Sequence, residues 1–160
     1  GVYDVFVRDR SCTDAFLSYC TAGISASGCT VHLSSTGVAS ATATSGFVVT
    51  APFVEGQKDG RFYYGQNGKM SKPWGNGTSL KCVLPPVYRS AMQQGNGTLG
   101  ACDGMISLDL NAYWCPSCPK PAQAPIPGKN LQIQYWYRDP SSTSNQSSSF
   151  SDAIEVTPCP

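Results

Sequence analysis

Eight cysteines give this 160-residue chain its most definite side-chain chemistry. The even count, the single histidine and the low charged fraction of 13% predict four disulfide bonds, formed in an oxidising compartment. Spacing alone leaves many pairings open, so the connectivity is a hypothesis. We expect one bond across a short turn-rich loop, one bond between two strands, and two bonds among the cysteines that remain: Cys20–Cys29, Cys82–Cys102, Cys115–Cys118 and Cys12–Cys159.

The segment CPSC at residues 115–118 has the spacing of a zinc-binding pair or of a redox motif. A zinc site needs about four ligands, and neither a second such pair nor paired histidines complete one. The neighbouring prolines also exclude the helix that a thioredoxin-like motif begins. Calcium is an alternative for the loop aspartates Asp103, Asp139 and Asp152, but these lack EF-hand spacing. We therefore expect a small-ring disulfide at this segment, no metal and no cofactor.

Residues that could catalyse a reaction are sparse in this sequence. His32, the one histidine, falls inside an apparent strand, and we interpret it as a surface or half-buried strand residue. The sequence contains no Gly-x-Ser-x-Gly nucleophile motif. Its two glutamates and eight aspartates are scattered mostly over turns, and no pattern pairs two carboxylates as glycoside hydrolysis requires. These observations favour a protein without enzymatic activity.

Aromatic side chains supply the candidate binding residues. Trp74 stands in a glycine-rich stretch that we predict to be an exposed loop, shortly after Tyr63 and Tyr64. Exposed aromatic rings are suited to binding carbohydrate, because the C–H face of a sugar packs on them. The amphipathic rings of Trp and Tyr are also suited to sites that are partly exposed to water. The alternative is that these rings fill the core of the domain. For Trp136 we favour core packing, with Arg138 partly buried beside it, stacked on an aromatic face or paired with a carboxylate.

The elements that position these residues are strands. In the segment 131–138, LQIQYWYR, apolar and aromatic residues alternate with polar ones, which is the period of two of a strand. Asp139-Pro140 ends this strand because proline cannot donate to the ladder. After a serine-rich loop, the segment 153–157 predicts a return strand. The asparagines that begin N-x-Ser/Thr sequons are expected on exposed loops: Asn76, Asn96 and Asn145.

Short strands with turn signals between them recur along the rest of the chain. Strands are predicted at residues 29–33, 47–54, 61–64, 80–89 (interrupted by Pro85-Pro86) and 105–110. Between them we predict a single helical turn at 14–17, a loop at 65–77 and an extended crossover at 115–128. This pattern is typical of an all-β fold, a disulfide-stabilised, jelly-roll-like sandwich of two antiparallel sheets. We expect one sandwich domain over residues 11–160.

Bulk properties exclude several classes of partner. A net charge of +1 gives no field that attracts nucleic acid or an acidic membrane surface. No apolar run approaches the roughly 18 residues of a membrane span. The chain carries no signal peptide and begins within an apparent strand, so we interpret it as a mature or excised fragment.

Five short motifs follow one another in a fixed order over residues 19–160. They read YCTA at 19–22 with GC at 28–29, GFVV at 46–49, YYG at 63–65, GNGT at 75–78 followed by Cys82, and IQYWYRDP with SDAIEVT near the end. In this order they resemble an uncharacterised C-terminal domain common in large secreted proteins of environmental bacteria. The resemblance implies secretion and a non-catalytic accessory role, and it supplies no binding residues. The CPSC pair and the proline-rich segment around it depart from that pattern.

The first ten residues, GVYDVFVRDR, resemble the closing strand of a blade in TolB-like β-propellers. No further blade follows, which excludes a whole propeller. The strand at 2–8 is apolar on both faces, with Val2 and Phe6 on one side, and it ends at Arg8. Both faces of this strand therefore need to be buried against other protein surfaces. Either it folds back onto its own sandwich, or it completes the sheet of a neighbouring copy, which makes a filament unless the geometry closes.

Two non-catalytic functions are consistent with these observations, and an enzyme is the third and weakest hypothesis. The first is a non-catalytic structural or assembly module of the cell exterior, such as a subunit of a surface fibre, whose partners are copies of itself. The alternative is a carbohydrate-binding or adhesion module of a larger secreted protein, whose partner is a polysaccharide. We expect an extracellular or cell-surface location for both.

Overall fold

The computed structural model describes residues 12–74, 78–140 and 147–160. Within these ranges the prediction of an all-β fold is confirmed, since the helical elements are only a short α-helix, α1 (Asn111–Trp114), and a 3-10 turn (Pro121–Gln123). The predicted strand at 2–8 and the sequons at Asn76 and Asn145 lie outside the described residues. The strands are β1 (Leu17–Tyr19), β2 (Ser34–Gly37), β3 (Phe47–Val54), β4 (Asp59–Gly65), β5 (Lys69–Trp74), β6 (Ser79–Val83), β7 (Tyr88–Arg89), β8 (Gln93–Gln94), β9 (Gly104–Asp109), β10 (Leu131–Arg138) and β11 (Ser148–Val156).

Two antiparallel sheets form the sandwich. The large sheet has the order β1-β11-β10-β4-β7, with β8 also paired to β4, and the small sheet has the order β2-β3-β9. Strand β10 lies at the centre of the large sheet, where Ile133 is opposite Ile154 of β11 and Tyr64 of β4. Its alternating sequence therefore fixes which side chains face the small sheet and which face outward.

One hydrophobic core fills the space between the two sheets. Phe47 and Val49 of the small sheet and Phe62 and Ile133 of the large sheet are almost completely buried in it. Trp114 of α1 closes the core from one end, and its indole Nε1 donates a hydrogen bond to the carbonyl oxygen of Ser40 at 2.8 Å. Burial of each such large side chain contributes about 1.5–3 kcal/mol to folding.

The hairpin of β5 and β6 forms a third layer, which packs on the outer face of the large sheet. Gln134 of β10 projects from that face and is fully buried beneath the hairpin. Its amide oxygen accepts a hydrogen bond from the backbone N–H of Cys82, and its amide nitrogen donates to the carbonyl oxygens of Leu80 and Ser151. The Phe150 N–H donates to the hydroxyl of Ser79. A polar network therefore holds the hairpin to the sheet.

The disulfide connectivity confirms two of the predicted pairs and corrects two. Cys12–Cys159 and Cys115–Cys118 form as expected. The pairs Cys20–Cys29 and Cys82–Cys102 are wrong, since Cys20 bonds Cys82 and Cys29 bonds Cys102. The reason is the fold of two hairpins. The turn after Ile24 pairs that residue with Thr30, so Cys29 lies opposite Ser25. The β5–β6 hairpin meanwhile carries Cys82 across the sheet to the end of β1.

Several predicted element boundaries are also wrong. The strand expected at 29–33 is replaced by β2, because the Asp152 carboxylate accepts the N–H of Leu33 and so occupies a group that a ladder would use. Residues 14–17 form no helix, and Leu17 begins β1. Half of the predicted glycine-rich loop at 65–77 is β5. No helix among the described residues is long and apolar enough to cross a membrane.

A candidate ligand-binding surface on the large sheet

The alternation along β10 places Trp136 and Arg138 on the outer face of the large sheet, because Tyr135 and Tyr137 fill the core. Arg61 of β4 lies directly opposite Trp136 in the register of the two strands. The guanidinium carbons of Arg138 and Arg61 lie 5.8 and 5.9 Å from the centroid of the Trp136 ring. Two positive charges are thus held over one indole, within the range of cation–π attraction.

The same arrangement continues on the neighbouring strands. Tyr63 follows Arg61 by two residues, so it shares its face, and Arg89 of β7 is directly opposite Tyr63. The guanidinium carbon of Arg89 lies 5.1 Å from the Tyr63 ring centroid. Lys81 of β6 is next, with Lys72 opposite it in the hairpin. We name this connected set the cation row; it consists of Arg138, Trp136, Arg61, Tyr63, Arg89, Lys81 and Lys72.

The five cations of the row have no carboxylate partner among the described residues. The ion pairs found there are His32–Asp152, Lys58–Glu55 and Lys69–Glu155, all outside the row. Asp59 precedes Arg61 by two residues on β4 and makes no ion pair with a described cation. Partial burial, together with the positive charges of Arg89 and Lys72, lowers the pKa of Lys81. The row is therefore a local concentration of positive charge on a chain of net charge +1.

The structure separates the binding residues that the sequence predicts. Trp136 and Tyr63 are in the cation row, whereas Tyr64 is buried in the core and its hydroxyl donates to Gln123. Trp74 lies on β5 and not in an exposed loop, which corrects the prediction. Its ring meets the Phe150 ring edge-on at 5.3 Å, and its Nε1 donates to the hydroxyl of Ser148 at 3.1 Å. Trp74 thus anchors the hairpin to β11.

Two expectations for the end of β10 need correction. Trp136 is half-buried on the outer face and does not pack in the core. Arg138 stacks on Trp136 as one of the two alternatives predicted, but it is exposed and not partly buried. The remaining cations of the row were missed by sequence reasoning, and they are Arg61, Arg89, Lys72 and Lys81. Of these four residues, only Arg61 has a local sequence signal for the outer face, namely its alternation with the apolar Phe62. Arg89, Lys72 and Lys81 join the row through strand pairing.

The aspartates considered as calcium ligands hold loops together. Asp139 is buried, and its two carboxylate oxygens share the Ala26 N–H in a bifurcated hydrogen bond, at 3.2 and 3.0 Å. Asp152 accepts from Leu33 and contacts His32, and Asp103 accepts from the Thr98 N–H at 2.7 Å. Among the described residues, no three histidine, cysteine or acidic side chains are grouped as a metal site requires.

A cleft of about 260 Å³ lies at the other end of β4. Its walls include Tyr64, Pro86, Tyr88 and Ile126. The amide of Gln66, which also lines the cleft, donates to the carbonyl oxygens of Ile126 and Lys129 and accepts a hydrogen bond from the Ile126 N–H. Because this amide is occupied by the protein itself, the cation row is the stronger candidate for ligand binding.

Comparison with known protein families, with curated proteins and with solved structures found no match to this chain. The resemblance to a domain of secreted bacterial proteins therefore stays a prediction.

The stacking of Arg138 on Trp136 predicts a measurable coupling energy. We expect Arg138→Ala to lower the free energy of unfolding by about 0.5–1 kcal/mol, because an exposed cation–π contact contributes this much. In a Trp136→Leu background the same substitution should have no effect. Urea denaturation of the two single variants and the double variant measures the coupling. Additive losses would contradict the contact.

Proposed function

We propose that this domain is a non-catalytic extracellular module that binds carbohydrate, as in adhesion, and that the ligand lies across the cation row. The observation that carries the proposal is the row itself. It continues from β10 over β4 and β7 to the hairpin, so it crosses three strands of the large sheet and both strands of the outer layer. Arg138, Arg89 and Lys72 are exposed along it.

The construction of the surface supports binding. The two rings of the row and the nearby Trp74 ring are fixed by contacts within the protein: Trp136 by two guanidinium groups, Tyr63 by Arg89 and by the edge of Phe150, and Trp74 by Phe150 and Ser148. Stacked arginine side chains lose less conformational entropy when they bind a ligand, because they are already ordered. Strands on a disulfide-bonded scaffold add further rigidity.

The disulfide bonds support the proposed extracellular location. Four disulfide bonds are typical of proteins that fold and persist in oxidising compartments, such as the cell exterior. The assembly alternative depends on the strand at 2–8. Because that strand lies outside the described residues, fibre formation stays a prediction from the sequence.

Affinity electrophoresis tests the proposal with gels that contain one soluble polysaccharide each, neutral or acidic. We expect at least one polymer to retard the wild-type protein, and Arg89→Gln/Arg138→Gln to restore most of its mobility. The double variant Lys120→Gln/Lys129→Gln removes the same charge from exposed positions outside the row, and it should behave as wild type. The proposal fails if no polysaccharide retards the protein, or if both double variants are retarded equally.

A further inference from the structure

The chemistry of the cation row identifies a class of ligand, provided that the proposed function holds. Neutral sugars are usually bound on free aromatic faces, to which their C–H groups pack. Here the Trp136 ring already carries two guanidinium groups, and the Tyr63 ring carries one. What the row presents to solvent is mainly charged N–H donors. Arg138, Arg89 and Lys72 make no hydrogen bond through their side chains to any described residue. The surface therefore favours acceptor groups that carry negative charge.

The arrangement of the lysines supports the same conclusion. Lys72 and Lys81 are directly opposite on neighbouring strands, and like charges in this position destabilise a hairpin. Partial burial lowers the pKa of Lys81, and the positive charges of Arg89 and Lys72 lower it further. A bound anion removes the repulsion. The free protein thus holds an unfavourable charge cluster that an acidic ligand stabilises.

The shape of the row favours a linear ligand. Three of its cations lie on β10, β4 and β7, neighbouring strands of the large sheet that are about 4.8 Å apart, and two lie on β6 and β5 of the hairpin. A single phosphate or sulfate ion would contact one or two of them. A polymer with an acidic group at each repeat contacts them in succession. Guanidinium groups also bind carboxylate and sulfate oxygens with two parallel hydrogen bonds, which adds geometric selectivity.

We infer that the ligand of the cation row is a linear acidic polysaccharide that carries carboxylate or sulfate groups. Single-stranded nucleic acid, the other linear polyanion, fits less well. Its bases need free aromatic faces on which to stack, and the rings of the row are occupied.

Two matched pairs of polymers test the inference: polygalacturonate with its methyl ester, and dextran sulfate with dextran. In each pair the backbone is the same and the charge differs. We expect the acidic member of at least one pair to bind at least tenfold more tightly than its neutral match, in calorimetry at low salt. The affinity should fall with added salt, because these cations are exposed and screened. Preference for polygalacturonate indicates a carboxylate ligand, and preference for dextran sulfate indicates a sulfate ligand.

Variants assign the effect to the row. Each of Lys72→Gln, Arg89→Gln and Arg138→Gln should weaken acidic binding by about two- to fivefold, as expected for exposed charges. The exposed Lys120→Gln should leave it unchanged, and thermal unfolding verifies that every variant is folded. Equal binding of both members of each pair would overturn the inference and leave carbohydrate binding in place. Tighter binding of a single-stranded DNA oligonucleotide than of either acidic polymer would also overturn it. Failure to bind any of the polymers would remove both proposals.

Discussion

Replacing both Cys29 and Cys102 with alanine is expected to lower the free energy of unfolding by about 4 kcal/mol, because their disulfide closes a long loop. The two residues are 73 positions apart in the chain. A disulfide restricts the unfolded chain more when the loop is longer, and this restriction is most of its stabilising effect in the chain-entropy account. Urea denaturation under non-reducing conditions measures the loss as a change in midpoint and slope.

The chain provides its own control for this experiment. Cys115 and Cys118 are three positions apart, so their replacement by alanine should lower stability by less than about 2 kcal/mol. Peptide mapping of the wild-type protein should recover Cys29 joined to Cys102 and Cys20 joined to Cys82. Similar losses for the long and the short loop would contradict the entropic explanation. A peptide that joins Cys20 to Cys29 would contradict the fold of the hairpin layer.

The second large effect is expected at Gln134. Gln134→Leu should lower the free energy of unfolding by about 3 kcal/mol or more, because two buried backbone groups and one half-buried group lose a partner. Each buried donor or acceptor left without a hydrogen bond costs about 1–3 kcal/mol. Leucine is close to glutamine in size, so the change removes hydrogen bonds and leaves the volume nearly constant. Denaturation followed by tryptophan fluorescence is informative, since Trp74 is held between hairpin and sheet.

Hydrogen exchange locates the effect of this variant. The backbone N–H of Cys82 donates to Gln134 and should exchange faster in Gln134→Leu, whereas that of Val49 in the small sheet should change less. Gln94→Leu is the matched control, since Gln94 is exposed and its amide makes a single bond, at 3.3 Å, to the Gln57 carbonyl. Its stability should stay within about 0.5 kcal/mol of wild type. A comparable loss of stability in Gln94→Leu would show that the apolar side chain, and not the lost hydrogen bonds, causes the effect.

The sequence predicts those elements whose information is local. The bounds of β3 (Phe47–Val54) and β10 (Leu131–Arg138) are as expected, because alternating β-branched or aromatic residues end at a clear stop. The interruption at Pro85-Pro86 also separates β6 from β7 as expected. The all-β fold and the two disulfides that remained by elimination belong to this predictable part.

What the sequence could not supply depends on contacts between distant segments. Lys72 and Lys81 join the cation row only because the β5–β6 hairpin folds over the large sheet, and no local pattern records that packing. The register of β4 against β10 places Arg61 on Trp136. The sequence does not give this register, so the contact between the two side chains could not be predicted. Trp74 was expected to be exposed because glycines surround it, but tertiary packing against Phe150 outweighs that local signal.

The disulfide between Cys12 and Cys159 has a mechanical consequence. It joins positions 147 residues apart, close to both limits of the described chain. A pulling force applied at residues 12 and 159 passes directly through the sulfur atoms, and the sheets between them carry almost no load. The sandwich therefore transmits tension between residues 12 and 159 without being stretched. Reduction of this one bond exposes the whole sandwich to the force, so the mechanical strength of the domain depends on the redox state of its surroundings.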